Sequence, residues 1–153
     1  MSNTLLQPYL FFAGRGDEAI AFYRTAIQAE VVMCMHYKES PEPSPMPLPP
    51  GWEEKIMHAE IKIGGASLLL SDGCGEEQTF AGFSLSLILQ DEAEAKRAYE
   101  ALSAEGEAHM PLTKTFFAKA FGMLRDRFGV NWMVHGAGRR SLRRRRRDKR
   151  WCR

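Results

Sequence analysis

Polar and apolar positions alternate most cleanly between Ile56 and Ile63. Met57, Ala59, Ile61 and Ile63 fall on one side of an extended chain, and His58, Glu60 and Lys62 on the other. A period of two predicts a half-buried strand. Gly64-Gly65 then turns the chain into a second apolar run at 66–71. Upstream, residues 8–12 read as a strand and 17–27 as a helix, in which Ile20, Phe22, Tyr23 and Ile27 recur near the helical period. Gly14 and Gly16 mark the turn between them, and Asp17 is placed to cap the helix. Residues 31–37 alternate Val31, Met33 and Met35 against Val32, Cys34 and His36, giving another strand. The order then returns: a strand at 83–89, an alanine-rich helix at 91–105 ended by Gly106, and strands near 109–113, 118–125 and 130–135. Asp17-Glu18-Ala19 and Asp91-Glu92-Ala93 open the two helices at matching points. The pattern is β-α-β-β-β given twice. It predicts an α+β domain over residues 1–138, built of modules at about 5–72 and 80–136 with a cleft made jointly by both halves.

Two stretches depart from this pattern. Residues 40–51 carry Pro41, Pro43, Pro45, Pro47, Pro49 and Pro50. Proline cannot donate to a sheet ladder, so this is a long loop, partly polyproline-like, of the kind used as a lid or binding loop. At the other end, residues 139–153 hold nine Arg and Lys149 against Asp148 alone, a local net charge of +9. Because the whole chain carries only +2, the preceding 138 residues carry −7: an acidic domain with a polybasic tail. Charges this dense repel one another, so disorder is expected there. The tail reads either as a passive extension or as a non-specific contact to polyanions such as nucleic acid.

Composition narrows the class further. The 44% hydrophobic and 26% charged content is that of a globular protein. No apolar run reaches the roughly 20 residues of a bilayer span, and no basic-then-apolar export signal is visible at the start. Cys34, Cys74 and Cys152 are odd in number and scattered, which fits a reducing cytoplasm better than a disulfide framework.

The ordered motifs are Pro8-Tyr9-Leu10-Phe11-Phe12, Ala19-Ile20-Ala21-Phe22-Tyr23, Met57-His58-Ala59-Glu60 with Ile63-Gly64-Gly65, Leu70-Ser71-Asp72, Gly82-Phe83-Ser84-Leu85, and Asp126-Arg127-Phe128-Gly129-Val130-Asn131-Trp132. Together they resemble the vicinal-oxygen-chelate superfamily, the glyoxalase/bleomycin-resistance fold. Within it they resemble the PhnB-like branch, often labelled 3-demethylubiquinone methyltransferase. The resemblance covers residues 5–136. It implies two βαβββ modules whose curved mixed sheets enclose a shared cleft, with helices outside, and commonly a homodimer. Metal-dependent members place His, Gln or Glu ligands at four strand positions. Here those positions fall on Pro8, Leu69 (or Ser71 two residues on), Ser84 and Met133. None of these four suits Zn²⁺, Mn²⁺ or Fe²⁺, which take imidazole, carboxylate or thiolate, so no metal or other cofactor is expected. The methyltransferase label also lacks support, since no glycine-rich loop that could hold a nucleotide-like cofactor follows the first strand.

The remaining candidates are side chains expected to face the cleft. His58 and Glu60 share the polar face of their strand and could act as an acid–base pair; alternatively they are satisfied within the sheet. Leu10, Phe12, Phe117 and Met133 are expected as apolar walls, His135 as a second polar candidate, and Trp52 as a lid or interface contact. Cys34 and His36 also share a face, but two residues are half a metal site and read more simply as a small buried residue and a surface histidine. The expectation is a cytoplasmic homodimer binding a small organic molecule in a metal-free cavity. The alternative is an enzyme of the same superfamily, a lyase, isomerase or dioxygenase-like catalyst, using His58 and Glu60 or a relocated divalent metal.

Overall fold

The computed structural model describes residues 3–137; the polybasic segment 139–153 lies outside the described residues. The chain divides into two compact units, with the boundary between Thr79 and Phe80. The first contains β1 (Tyr9–Phe11), α1 (Gly16–Ile27), β2 (Glu30–His36), β3 (Ile56–Ile63) and β4 (Ala66–Ser71). The second contains β5 (Leu85–Leu89), α2 (Glu92–Ser103), β6 (Glu107–Thr113), β7 (Ala120–Arg125) and β8 (Asn131–Gly136). Each unit is a four-stranded mixed sheet, ordered β1-β4-β3-β2 and β5-β8-β7-β6. In both, the first strand lies parallel to the last while the other neighbours are antiparallel. The α+β reading and the twofold β-α-β-β-β order therefore hold.

Each sheet buries one face under its helix. In the first unit Ala19, Ile20 and Tyr23 of α1 are buried along with Leu10, Ala59, Ile61 and Leu70. In the second, Ala95, Ala98, Tyr99 and Leu102 of α2 are buried along with Leu124, Trp132 and Val134. Tyr99 reaches across β7 because Gly122 leaves room: a Cβ there would stand 2.7 Å from the Tyr99 ring. Its hydroxyl continues to the Met110 carbonyl of β6 at 2.9 Å.

The two helices start differently. Asp91 caps α2 as its position predicts, accepting the Glu94 amide at 2.9 Å. Asp17 does not cap α1. That helix begins one residue earlier, after Arg15, which supplies no side-chain cap. Its amides are met instead by Asp72, at the end of β4. Asp72 Oδ1 accepts the N–H groups of Gly14 (2.9 Å) and Gly16 (2.7 Å), and Oδ2 accepts that of Ile56 (2.8 Å). A carboxylate at a helix N-terminus also favours the helix dipole. Gly16 must be glycine, because a Cβ would meet both Asp72 oxygens and Ile56 within about 3 Å. Among the described residues no helix is long and apolar enough to cross a membrane.

Candidate functional site

Opposite the helix, each sheet has an open face, and pairing register decides who stands on it. In the first unit, Tyr9 pairs with Leu69, Leu69 with Glu60, and Glu60 with Met33. Residues paired across neighbouring strands point to the same side, so these four form one row. Phe11 and Ser71 form the next row, and His58, paired with Met35, belongs with them. Across this face the Tyr9 hydroxyl lies 2.9 Å from His58 Nδ1, with the two rings 5.6 Å apart. The Tyr9 and Phe11 rings stack at 5.2 Å. Burial raises the Tyr9 phenol above its usual range, a hydrogen bond to Ser71 opposing this, so Tyr9 stays protonated at neutral pH. The Tyr9 hydroxyl and His58 Nδ1 thus form one hydrogen bond across the open face. The result is a polar pair set in a mostly apolar, solvent-accessible surface.

His58 and Glu60 therefore occupy the side of β3 opposite Ala59 and Ile61, as alternation requires. Leu10 and Phe12 do not join them. They are 2% and 4% exposed, with Phe12 edge-on to Tyr23 of α1, and the open positions of β1 belong to Tyr9 and Phe11, 40% and 41% exposed. The run Tyr9-Leu10-Phe11-Phe12 is apolar throughout, so it holds no alternation from which to read its phase.

Trp52 is held at the end of the proline loop. Its indole N–H donates to the Gly73 carbonyl at 2.7 Å, which also accepts from the Tyr37 hydroxyl at 2.8 Å. Its ring edge lies against Gly14. The proline loop is thus tied at this end to the segment following β4.

In the second unit, Met133 pairs with Ser86 and Met123, and His135 with Ile88 and Phe121, all on the open face. His135 sits beside Phe121 (ring centroids 4.8 Å) and Phe117 (6.2 Å), and these two phenylalanines meet at 5.1 Å. This apolar setting pushes the His135 imidazole below its ordinary pKa through burial. The structure thus brings together His135, Phe117 and Phe121 around a row containing Met133. The buried carboxylate of this unit, Asp126, organises the β7–β8 turn: Oδ1 accepts the amides of Phe128 (2.9 Å) and Val130 (3.0 Å), and Oδ2 the Trp132 indole (2.9 Å).

The ligand positions expected from the fold remain unsuited to an ion. Leu69 and Met133 are the strand residues there, and Pro8 and Ser84 flank β1 and β5; none offers imidazole, carboxylate or thiolate. The turn after β1 contains two glycines, but its amides are occupied by Asp72 rather than open to a phosphate.

Comparison with known proteins agrees with this architecture. The family described as 3-demethylubiquinone-9 3-methyltransferase matches residues 4–135. Protein YjdN of Escherichia coli K12 is 35% identical over 140 residues, covering 85% of this chain and 93% of YjdN. Protein PA1353 from Pseudomonas aeruginosa is 36% identical, covering 89% of this chain and 99% of its own, with a TM-score of 0.78. The PhnB protein of Bacillus cereus, which carries the family's description, is 28% identical over 86% of this chain and 98% of that one, with a TM-score of 0.70. The fosfomycin resistance protein FosX of Listeria monocytogenes, 14% identical with a TM-score of 0.61 over 90% of this chain and 95% of its own, shares the fold alone.

Fold and neighbours together define the class: a two-module α+β protein of vicinal-oxygen-chelate type. Within that class the chain belongs to the 3-demethylubiquinone-9 3-methyltransferase-like, or PhnB-like, family.

Proposed function

We propose that this protein binds a small organic molecule, with an apolar or planar part, on the open faces of its sheets. The observation carrying this reading is the Tyr9–His58 pair, 2.9 Å apart on a sheet face otherwise occupied mainly by Phe11, Leu69, Met33 and Met35. Binding sites are typically apolar surfaces with a few placed polar groups, and Tyr9 and His58 would fix the ligand's orientation. Phe117, Phe121, His135 and Met133 offer a comparable surface in the second unit. The same reading takes the protein to be a cytoplasmic homodimer, whose subunit number light scattering would report.

The test is a thermal-shift and native mass-spectrometry screen of small aromatic and heterocyclic compounds. A hit should bind about 2- to 10-fold more weakly to Tyr9→Phe, the loss of one hydrogen bond. It should lose more in His58→Ala. Hits whose affinity ignores both substitutions would end this reading for the first sheet. The rival is an enzyme in which His58 and Glu60 move protons, favoured by the contact between Tyr9 and His58 as a proton path. Mass analysis of a hit after prolonged incubation separates the two: a binder returns it unchanged, and an enzyme returns product that His58→Ala abolishes.

A further inference from the structure

The helix-covered side of the first sheet carries a second cluster, unrelated to the open face. Cys34 pairs with Ala59 and His36 with Ile56, both buried residues, so the two side chains point toward α1. There they meet Asp17, which does not cap the helix and turns its carboxylate to His36, with Nε2 at 3.0 Å from both oxygens. One ligand atom from each of Asp17, Cys34 and His36 lies within 4.8 Å of the other two. The opposite ring nitrogen of His36, Nδ1, is 3.0 Å from Glu39 Oε2, and that oxygen also accepts the His36 amide at 2.7 Å. Glu39 therefore locks the imidazole with Nε2 toward Asp17.

We propose that Asp17, Cys34 and His36 form a site for a divalent cation, Zn²⁺ above all, that clips the first turn of α1 to the edge strand β2. The donor set is one oxygen, one sulfur and one nitrogen, the mixture zinc accepts and that hard ions such as Mg²⁺ do not. Zinc bonds of 2.0–2.3 Å at tetrahedral angles put neighbouring donors roughly 3.3–3.8 Å apart, within small side-chain rotations of the observed cluster. A metal-bound histidine characteristically gives its other nitrogen to a carboxylate, as His36 does to Glu39. Three protein ligands leave the fourth position to water. The site stands on the opposite side of the sheet from Tyr9 and His58, so it does not depend on the proposed ligand binding.

The full chain, reduced and stripped with chelator, is titrated with Co²⁺ alone. One equivalent should give thiolate-to-cobalt charge-transfer absorption with visible bands of four-coordinate cobalt, and Zn²⁺ should displace them. Cys34→Ser should abolish the charge-transfer band. Asp17→Asn, His36→Gln and Glu39→Gln should each weaken binding by about tenfold or more. A Cys74→Ser/Cys152→Ser double variant should keep both band and stoichiometry. In the unsubstituted protein Zn²⁺ should also slow alkylation of Cys34, a readout that needs no variant to fold. A band that survives Cys34→Ser or vanishes with the other two cysteines would overturn the assignment. So would Cys34 alkylation indifferent to Zn²⁺.

Discussion

At the residue scale, the two buried acids among the described residues, Asp72 and Asp126, serve construction. Asp72 is 1% exposed and holds three backbone amides from the start of α1 and of β3. Removing an acceptor from buried donors costs about 1–3 kcal/mol for each group stranded. Asp72→Ala should therefore lose about 3 kcal/mol or more of stability in urea denaturation, and a cost below about 1 kcal/mol would refute its capping role. His135 makes a prediction about pH. Its folded pKa lies below the ordinary 6.5 because burial beside aromatic rings disfavours the charged ring. The unfolded chain then binds more protons just below pH 6.5, so this contribution to stability is complete above that value. It is lost as pH falls through the folded pKa. An NMR titration of the His135 ring should give a midpoint under 6.5; a midpoint at or above it would contradict the burial argument.

At the scale of elements, β3 and β1 show what patterning conveys. The alternation at Ile56–Ile63 assigned His58 and Glu60 to one side and Ala59 and Ile61 to the other, and the structure has that arrangement. Strand β1 is short and apolar on both sides, so its phase came from pairing with β4, and Leu10 and Phe12 turned inward. Leu10→Ala should then cost about 2–4 kcal/mol, as for a buried leucine. Phe11→Ala should cost about 1 kcal/mol or less, because the ring is already half in water. Equal losses in denaturation midpoint would place both on the same footing and contradict the register. The Asp17 expectation failed for a related reason: a helix can be capped from any acceptor near its end, and a residue 56 positions away filled that place. Nothing local in the chain advertises such a partner. The same applies to the Asp17–Cys34–His36 cluster, of which only the strand-spaced half was legible.

At the scale of the molecule, the uneven charge is the feature with a direct consequence. The +9 of residues 139–153 against −7 elsewhere predicts salt-dependent retention on polyanions through that segment alone. Ending the chain after Gly138 should abolish binding to a random DNA duplex at low salt while leaving the melting temperature unchanged. DNA binding that persists in the shortened chain would move the contact onto the acidic portion and refute the assignment.

The sequence by itself determined the order and kind of the elements, the doubling of the β-α-β-β-β pattern, the family, and the face on which His58 and Glu60 stand. These follow from short-range periodicity, glycine and proline punctuation, and ordered motifs, all of which are local. Tertiary structure alone decided the phase of β1, the pairing of Tyr9 with His58, the capping of α1 by Asp72 and the meeting of Asp17 with Cys34 and His36. Each of these joins residues far apart along the chain. Such contacts are chosen by which arrangement buries the most apolar surface while leaving no backbone donor unmet, a comparison that no short window of sequence contains.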